Sequence, residues 1–246
     1  MLRAAELNQW RLKMALAWED EFEGTSLDSK WTEYHLSASC SATVADGVLS
    51  LAADGPTDAA DTQAMVFQIN TDLPDFPCAF EVSVECENYL DEDPTPSDFS
   101  FYIMYANAVF SGMLGGVGVL WLSGGWVQSR SYDTEGTRYK YDPVPYTYGG
   151  AILLRIYFGS DGVPYVAYKG ETDDDFVMMD MPSFVPSFNG ETNMDIMITG
   201  GSKADDQAHV WNVDYIRKID VESGQAIANS FKGFEDIKSF KGFNGF

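Results

Sequence analysis

The chain has 246 residues, 45% hydrophobic and 14% aromatic, which suits one large all-β domain with short appendages and excludes an overall disordered chain. Its 38 Asp and Glu against 15 Lys and Arg leave a net charge of −23. That balance argues against nucleic acid, which needs clustered cations, and against anionic membranes. No stretch is apolar enough to span a bilayer, so no membrane insertion is expected, and Glu6, Arg11 and Lys13 interrupt any leader-like apolar run.

Residues 3–16 have helical spacing, with Leu7, Trp10 and Met14 at i, i+3 and i+7. A short amphipathic arm over 1–17 is expected, packed on its own domain or docked on a partner through Trp10. From Trp18 to Leu51 the sequence predicts a short strand with Phe22, a turn anchored by Leu27 and Trp31, and a hairpin turn at Asp46-Gly47 before a strand over 48–51. Further strands are expected over 64–69, 79–89, 99–105, 115–122, 126–132, 152–158, 164–169, 195–199 and 208–219. In the second of these, Phe80, Val82, Val84 and Cys86 face one way and Glu81, Ser83, Glu85 and Glu87 the other. Val213, Tyr215 and Trp211 are assigned to one face of the last strand. Residues 133–150 read as a tyrosine-rich loop and Asp161-Gly162 as a turn. Strands at this spacing fit a β-sandwich.

After Val221 the composition changes. Ser230-Phe-Lys-Gly-Phe234 recurs as Ser239-Phe-Lys-Gly-Phe243, followed by Phe246. A tail over 221–246 with Phe231, Phe234, Phe240, Phe243 and Phe246 reads as a docking peptide for a protein partner or a second copy, or as a segment folded back on the sandwich. The three cysteines, Cys40, Cys78 and Cys86, lack metal-ligand spacing, and a buried thiol is expected for Cys86.

Four pieces of the body over 18–220 carry a family resemblance. They are Trp18-Glu-Asp-Glu-Phe with Leu27-Asp-Ser-Lys-Trp31; Phe80-Glu-Val-Ser-Val-Glu with Asp98-Phe-Ser-Phe-Tyr-Ile-Met-Tyr105; Leu153-Leu-Arg-Ile-Tyr157 with Tyr165-Val-Ala-Tyr168; and Val210-Trp-Asn-Val-Asp-Tyr-Ile-Arg217. In this order they resemble the non-catalytic domains of the concanavalin A-like lectin/glucanase superfamily, found beside glycosidases, in adhesins and in phage tail or surface proteins. The resemblance implies a jelly roll of two antiparallel sheets and glycan as ligand. Together with the lack of a leader, it implies a binding or adhesion subunit of a larger assembly, such as a virus or phage particle. Alternatives are a laminarinase-like glycoside hydrolase and a purely structural scaffold subunit.

The catalytic branch of that superfamily carries Glu-x-Asp-x-x-Glu on one strand, and this motif is absent. The nearest stretch, Glu81-Val-Ser-Val-Glu-Cys-Glu87, lacks the middle aspartate, and Glu85 and Glu87 read as part of a solvated or sheet-lining acidic face. No catalytic residue is assigned. His35 and His209 lack a triad or zinc context. Gly115-Gly-Val-Gly118 lacks the Lys and helix of a phosphate loop and reads as a turn into its strand. Sugars are held by aromatic faces and planar polar groups, so Trp121, Trp126, Tyr132, Arg138, Tyr139, Tyr141 and Tyr146 are the candidate ligand residues. No cofactor is required. Calcium is the candidate metal, with Asp173, Asp174 and Asp175 as its first-choice cluster.

Overall fold

A computed structural model describes residues 15–35, 38–53, 61–71, 77–87, 99–109, 112–122, 125–146, 150–185, 194–203 and 209–220. These residues form strands and no helix, in two antiparallel sheets. Strands are numbered in chain order. Sheet 1 runs β14 (Val177–Met178), β13 (Pro164–Gly170), β12 (Ile152–Phe158), β6 (Cys78–Cys86), β16 (His209–Asp220), β4 (Val48–Ala53) and β3 (Cys40–Ala45), with β1 (Ala15–Asp20) also paired to β16. Sheet 2 runs β10 (Arg138–Lys140), β9 (Trp126–Tyr132), β8 (Gly112–Leu122), β7 (Phe99–Val109), β15 (Met194–Lys203), β5 (Asp61–Thr71) and β2 (Trp31–His35), with β11 (Val144–Pro145) also paired to β9.

The sandwich interior follows from alternation. Phe80, Val82, Val84 and Cys86 of β6 meet Val117, Val119 and Trp121 of β8 in one buried cluster. Trp121 and Trp211 pack edge to face at 5.5 Å between centroids. Gly200 makes that possible: a Cβ there would lie 2.6 Å from Trp211 Cδ1 and 3.0 Å from Leu51 Cβ. All three cysteines are buried, and none is in a disulfide.

The turn chemistry is equally readable. Asp46 and Gly47 have φ of 53° and 81°, the two positive values of a type I′ turn, and close the two-residue hairpin between Ala45 and Val48. Asp161-Gly162 turns β12 into β13, where the Val163 N–H donates to Asp161 Oδ1 at 3.0 Å. At the chain's entry, Phe22, expected inside a short strand, instead lies just past β1 with φ 50°, buried and packed on Trp31 at 6.1 Å. Leu27 is half-buried against the same core. The last strand returns beside the first, as a jelly roll needs to cover its edges.

Several expectations are corrected. Residues 1–14 of the expected helix, Trp10 included, lie outside the described residues; Ala15 and Leu16, placed at its end, open β1 instead. Pairing with β16 sets their conformation, which local periodicity does not see. The register of β16 on β6 shifts between Val213 and Tyr215. The extra residue reverses the alternation, so Trp211, Val213 and Ile216 are core and Tyr215 is turned to the outer face. Gly115 to Gly118 lie inside β8, not in a turn before it; Gly115, with φ 64°, is the residue skipped between the Leu114–Asn107 and Gly116–Ala106 pairs. The 133–150 segment is only partly loop, since β10 and β11 add to the edge of β9.

Candidate functional site

Sheet 2 has an outer face whose rows follow from strand register. One row runs Arg138, Tyr132, Gly116, Ala106, Asp195. The next, two residues along each strand, runs Lys140, Arg130, Gly118, Met104, Met197. Then come Gln128 beside Leu120, and Trp126 beside Leu122. The alternate residues Val117, Val119 and Trp121 fill the core, so the β8, β9 and β10 side chains of these rows face away from it.

The centre of this face is closed. Leu120, Leu122 and Met197 are buried, with Tyr34, Trp126 and Tyr132 packed against them. Trp126, Arg130 and Tyr132 are half-buried, while Arg138 and Lys140 are exposed. Gln128 organises the edge: its Nε2 donates to the Tyr141 carbonyl at 2.9 Å and its Oε1 accepts from Arg130 Nε at 2.8 Å. Trp126 and Tyr132 are six residues apart on one strand, about 20 Å, a span that exceeds one sugar ring.

The seven predicted ligand residues therefore divide. Trp126, Tyr132 and Arg138 share the outer face of sheet 2. Trp121 is fully buried between the sheets and is not a surface platform; its parity on β8 sends it inward. Tyr146 is also core, edge to face with Trp121 at 6.3 Å and with Tyr168 at 5.8 Å. Tyr139 points the other way from Arg138 and packs on Phe184 at 5.1 Å between centroids. Its hydroxyl donates to Asp133 Oδ2 at 3.1 Å, and that bond pushes the phenol above its usual pKa. Burial would raise Asp133, but hydrogen bonds from Thr137, Glu135 and Tyr139 outweigh it and hold the carboxyl below its ordinary range. Tyr141 is exposed, and its hydrogen bond to Asp180 raises its pKa. Gln128 and Arg130 were not among the candidates, although alternation along the strand over 126–132 already places them on one face with Trp126 and Tyr132; Lys140 joins them only through the pairing of β10 with β9.

No protein-family model matches this sequence, and no curated protein does. Solved structures do. A β-1,3-glucanase from Mycobacterium marinum is 12% identical at TM-score 0.54, over 83% of this chain and 98% of that one. The exoplasmic/lumenal domain of VIP36, in a Ca2+/Man2-bound form, is 10% identical at TM-score 0.55, over 83% and 87%. A GlcNAcα1-4Gal-releasing endo-β-galactosidase from Clostridium perfringens is 13% identical at TM-score 0.56, over 83% and 62%. The chain has the concanavalin A-like jelly-roll fold. These identities establish shared architecture, and the chemistry rests on this chain's own residues.

Within that fold, the outer face of sheet 1 carries a second polar group. Glu19, Arg217, Glu81 and Arg155 occupy one row across β1, β16, β6 and β12. Glu81, assigned from sequence to an acidic face with Glu85 and Glu87, is fully buried. Its carboxylate accepts from Arg155 and Arg217, and from the Tyr215 hydroxyl at 2.9 Å. The Arg155 guanidinium also lies 3.7 Å from the Phe176 ring centroid. Burial lowers the Arg155 pKa, opposed by the Tyr157 hydroxyl that its guanidinium contacts. Glu85 and Glu87 are exposed, and Glu87 accepts from Asn212 at 2.7 Å.

The Asp173–Asp175 triplet is not assembled as a calcium cage. Asp173 Oδ2 accepts the Gly170 N–H at 2.9 Å, and the Asp174 carbonyl accepts from Lys169 at 3.1 Å, so the segment ties its own turn. Among the described residues, no group of three or more His, Cys, Asp and Glu side chains is placed to hold a metal ion. His209 is fully buried at the start of β16, and the His35 side chain lies outside the description. No helix among the described residues is long and apolar enough to cross a membrane. The tail phenylalanines Phe231, Phe234, Phe240, Phe243 and Phe246 lie outside the described residues.

Proposed function

We propose that this protein is a non-catalytic glycan-binding subunit of a larger assembly, with the β9 edge of sheet 2 as its contact surface. The observation that carries this reading is the run of Trp126, Gln128, Arg130 and Tyr132 at alternate positions of one strand, all on the same outer face. Two half-buried aromatic rings with the Arg130 guanidinium between them, held by the buried Gln128 amide, match what sugars need: apolar faces for C–H surfaces and a fixed polar group for hydroxyls. The solved relatives with this fold include a mannose-bound lectin domain and glucan-cleaving enzymes, which supports a sugar ligand.

Binding without cleavage is favoured by where the carboxylates fall. Glycosidases flank the scissile bond with two carboxyl groups about 5 to 9.5 Å apart. Among the described side chains at the paired positions of this outer face, Asp195 is the one carboxylate, so no such pair is formed there. The Phe-rich tail, with Trp10 in the N-terminal arm, supports attachment to a protein partner, on a virus or phage particle or a comparable assembly.

The test is a glycan array with the full chain, repeated with Trp126→Ala and Tyr132→Ala. Binding to an oligosaccharide class, weakened at least tenfold in both variants at a temperature where each is still folded, is expected. A blank array would favour the scaffold reading. Release of reducing ends from a bound glycan would replace it with the hydrolase reading. Deleting residues 229–246 tests attachment, which fails if co-assembly with the partner is unchanged.

A further inference from the structure

We propose that the glycan held at this edge is acidic, a chain bearing uronic-acid carboxylates, recognised by Arg130, Arg138 and Lys140 around Tyr132. The inference rests on the glycan-binding reading and narrows it to one ligand class.

Cations are scarce in this chain. Of its 15 Lys and Arg, nine lie between residues 15 and 220. Four of these are committed elsewhere. Arg155 and Arg217 hold Glu81, Lys30 pairs with Asp20 at 2.8 Å, and Lys169 donates to the Asp174 carbonyl. Yet three of the nine fall on two adjoining rows of a single sheet edge. Arg138 is the direct cross-strand neighbour of Tyr132, and Lys140 is that of Arg130.

Direct neighbours in an antiparallel pair have Cβ atoms about 5 Å apart, and alternate residues on one strand are about 7 Å apart. The four side chains therefore form the corners of a patch about the size of one sugar. Like charges so placed repel one another, a cost that an anion lying between them removes. Arg138 and Lys140 are exposed and, among the described residues, have neither ion-pair nor hydrogen-bond partners.

The chemistry matches a carboxylated sugar better than a neutral one. A guanidinium presents a planar fork to a carboxylate, and the pair is charge-assisted. The Gln128 amide holds Arg130 Nε in place, so that guanidinium is a fixed part of the patch, and Arg138 and Lys140 supply its unpartnered charge. Tyr132 supplies a ring for the sugar face beside it. The net charge of −23 does not forbid this, because at physiological salt charges further than about 8 Å are largely screened.

The experiment compares two polymers of the same sugar, polygalacturonate and its fully methyl-esterified form, with laminarin as a neutral β-glucan. Affinity electrophoresis is run with the full chain and with the double variant Arg138→Gln/Lys140→Gln. Polygalacturonate is expected to bind roughly tenfold or more tightly than its ester, and the double variant to lose most of that preference. Thermal melting of the variant serves as the fold control. Equal binding of acid and ester, or an unchanged preference in the variant, overturns the proposal. If laminarin binds and polygalacturonate does not, the acidic ligand is wrong and the glycan-binding reading stands. If no glycan on a broad array binds, both fail.

Discussion

On the outer face of sheet 1, Glu81 lies between Arg155 and Arg217 and is fully buried; on the outer face of sheet 2, the exposed Arg138 and Lys140 flank the row of Tyr132 and half-buried Arg130. Both groups sit at alternate positions of strands whose other side chains build the core. In sheet 1 the charges answer each other, and Phe176 covers Arg155. In sheet 2 the cations lie side by side, and among the described residues no carboxylate faces Arg138 or Lys140. Charge neutralised inside the protein acts on stability, while charge left for the solvent is available to a ligand.

The contrast is broken most severely at Glu81. Glu81→Ala leaves two arginines without their shared anion, one of them almost fully buried, and is expected to cost about 3 to 5 kcal/mol in urea unfolding. A loss below about 1 kcal/mol would mean that the network is solvated and the two faces are alike. Phe176→Ala sharpens the same point. It uncovers Arg155, and removing a desolvated cation–π contact should cost about 2 kcal/mol.

Asp20, at the margin of sheet 1, gives a pH-dependent case. Burial would raise its pKa, but donors from Lys30, Trp31 and Phe22 outweigh it, and the carboxyl is held below its ordinary value. A depressed carboxylate contributes stability above its unfolded pKa, near 4, and loses it as pH falls through the folded value. Asp20→Asn should therefore destabilise at neutral pH and flatten the acid limb of the melting-temperature profile. Partial exposure keeps the effect within about 1 kcal/mol. The smallest effect belongs to sheet 2. Arg138→Gln/Lys140→Gln should change stability by less than about 0.5 kcal/mol in the same unfolding assay, because nothing in the fold depends on either charge. A larger loss would place these residues with Glu81, as structure.

Much of the sandwich is legible from local signals. Inward parity of Phe80, Val82 and Val84, the Asp46-Gly47 hairpin and the Leu27 and Trp31 anchors all rest on neighbours within a few residues, where backbone geometry and burial act together. The site is legible only in part. Trp126, Tyr132 and Arg138 come from aromatic and cationic density in one segment, but that density also included Trp121 and Tyr146, which are core. An aromatic ring suits a sugar and an apolar interior equally, so composition does not separate the two uses.

The sequence alone determined the all-β class, most of the longer strands, the acidity and the residues available for chemistry, because these depend on period, turn residues and side-chain type. The tertiary structure decided which of them meet. The bulge that turns Tyr215 outward, the burial of Glu81 between two arginines 74 and 136 positions away, and the square of Arg130, Tyr132, Arg138 and Lys140 all depend on register between strands. A strand's register is set by its partner and by the core both must fill, and a one-residue shift sends every side chain to the opposite face.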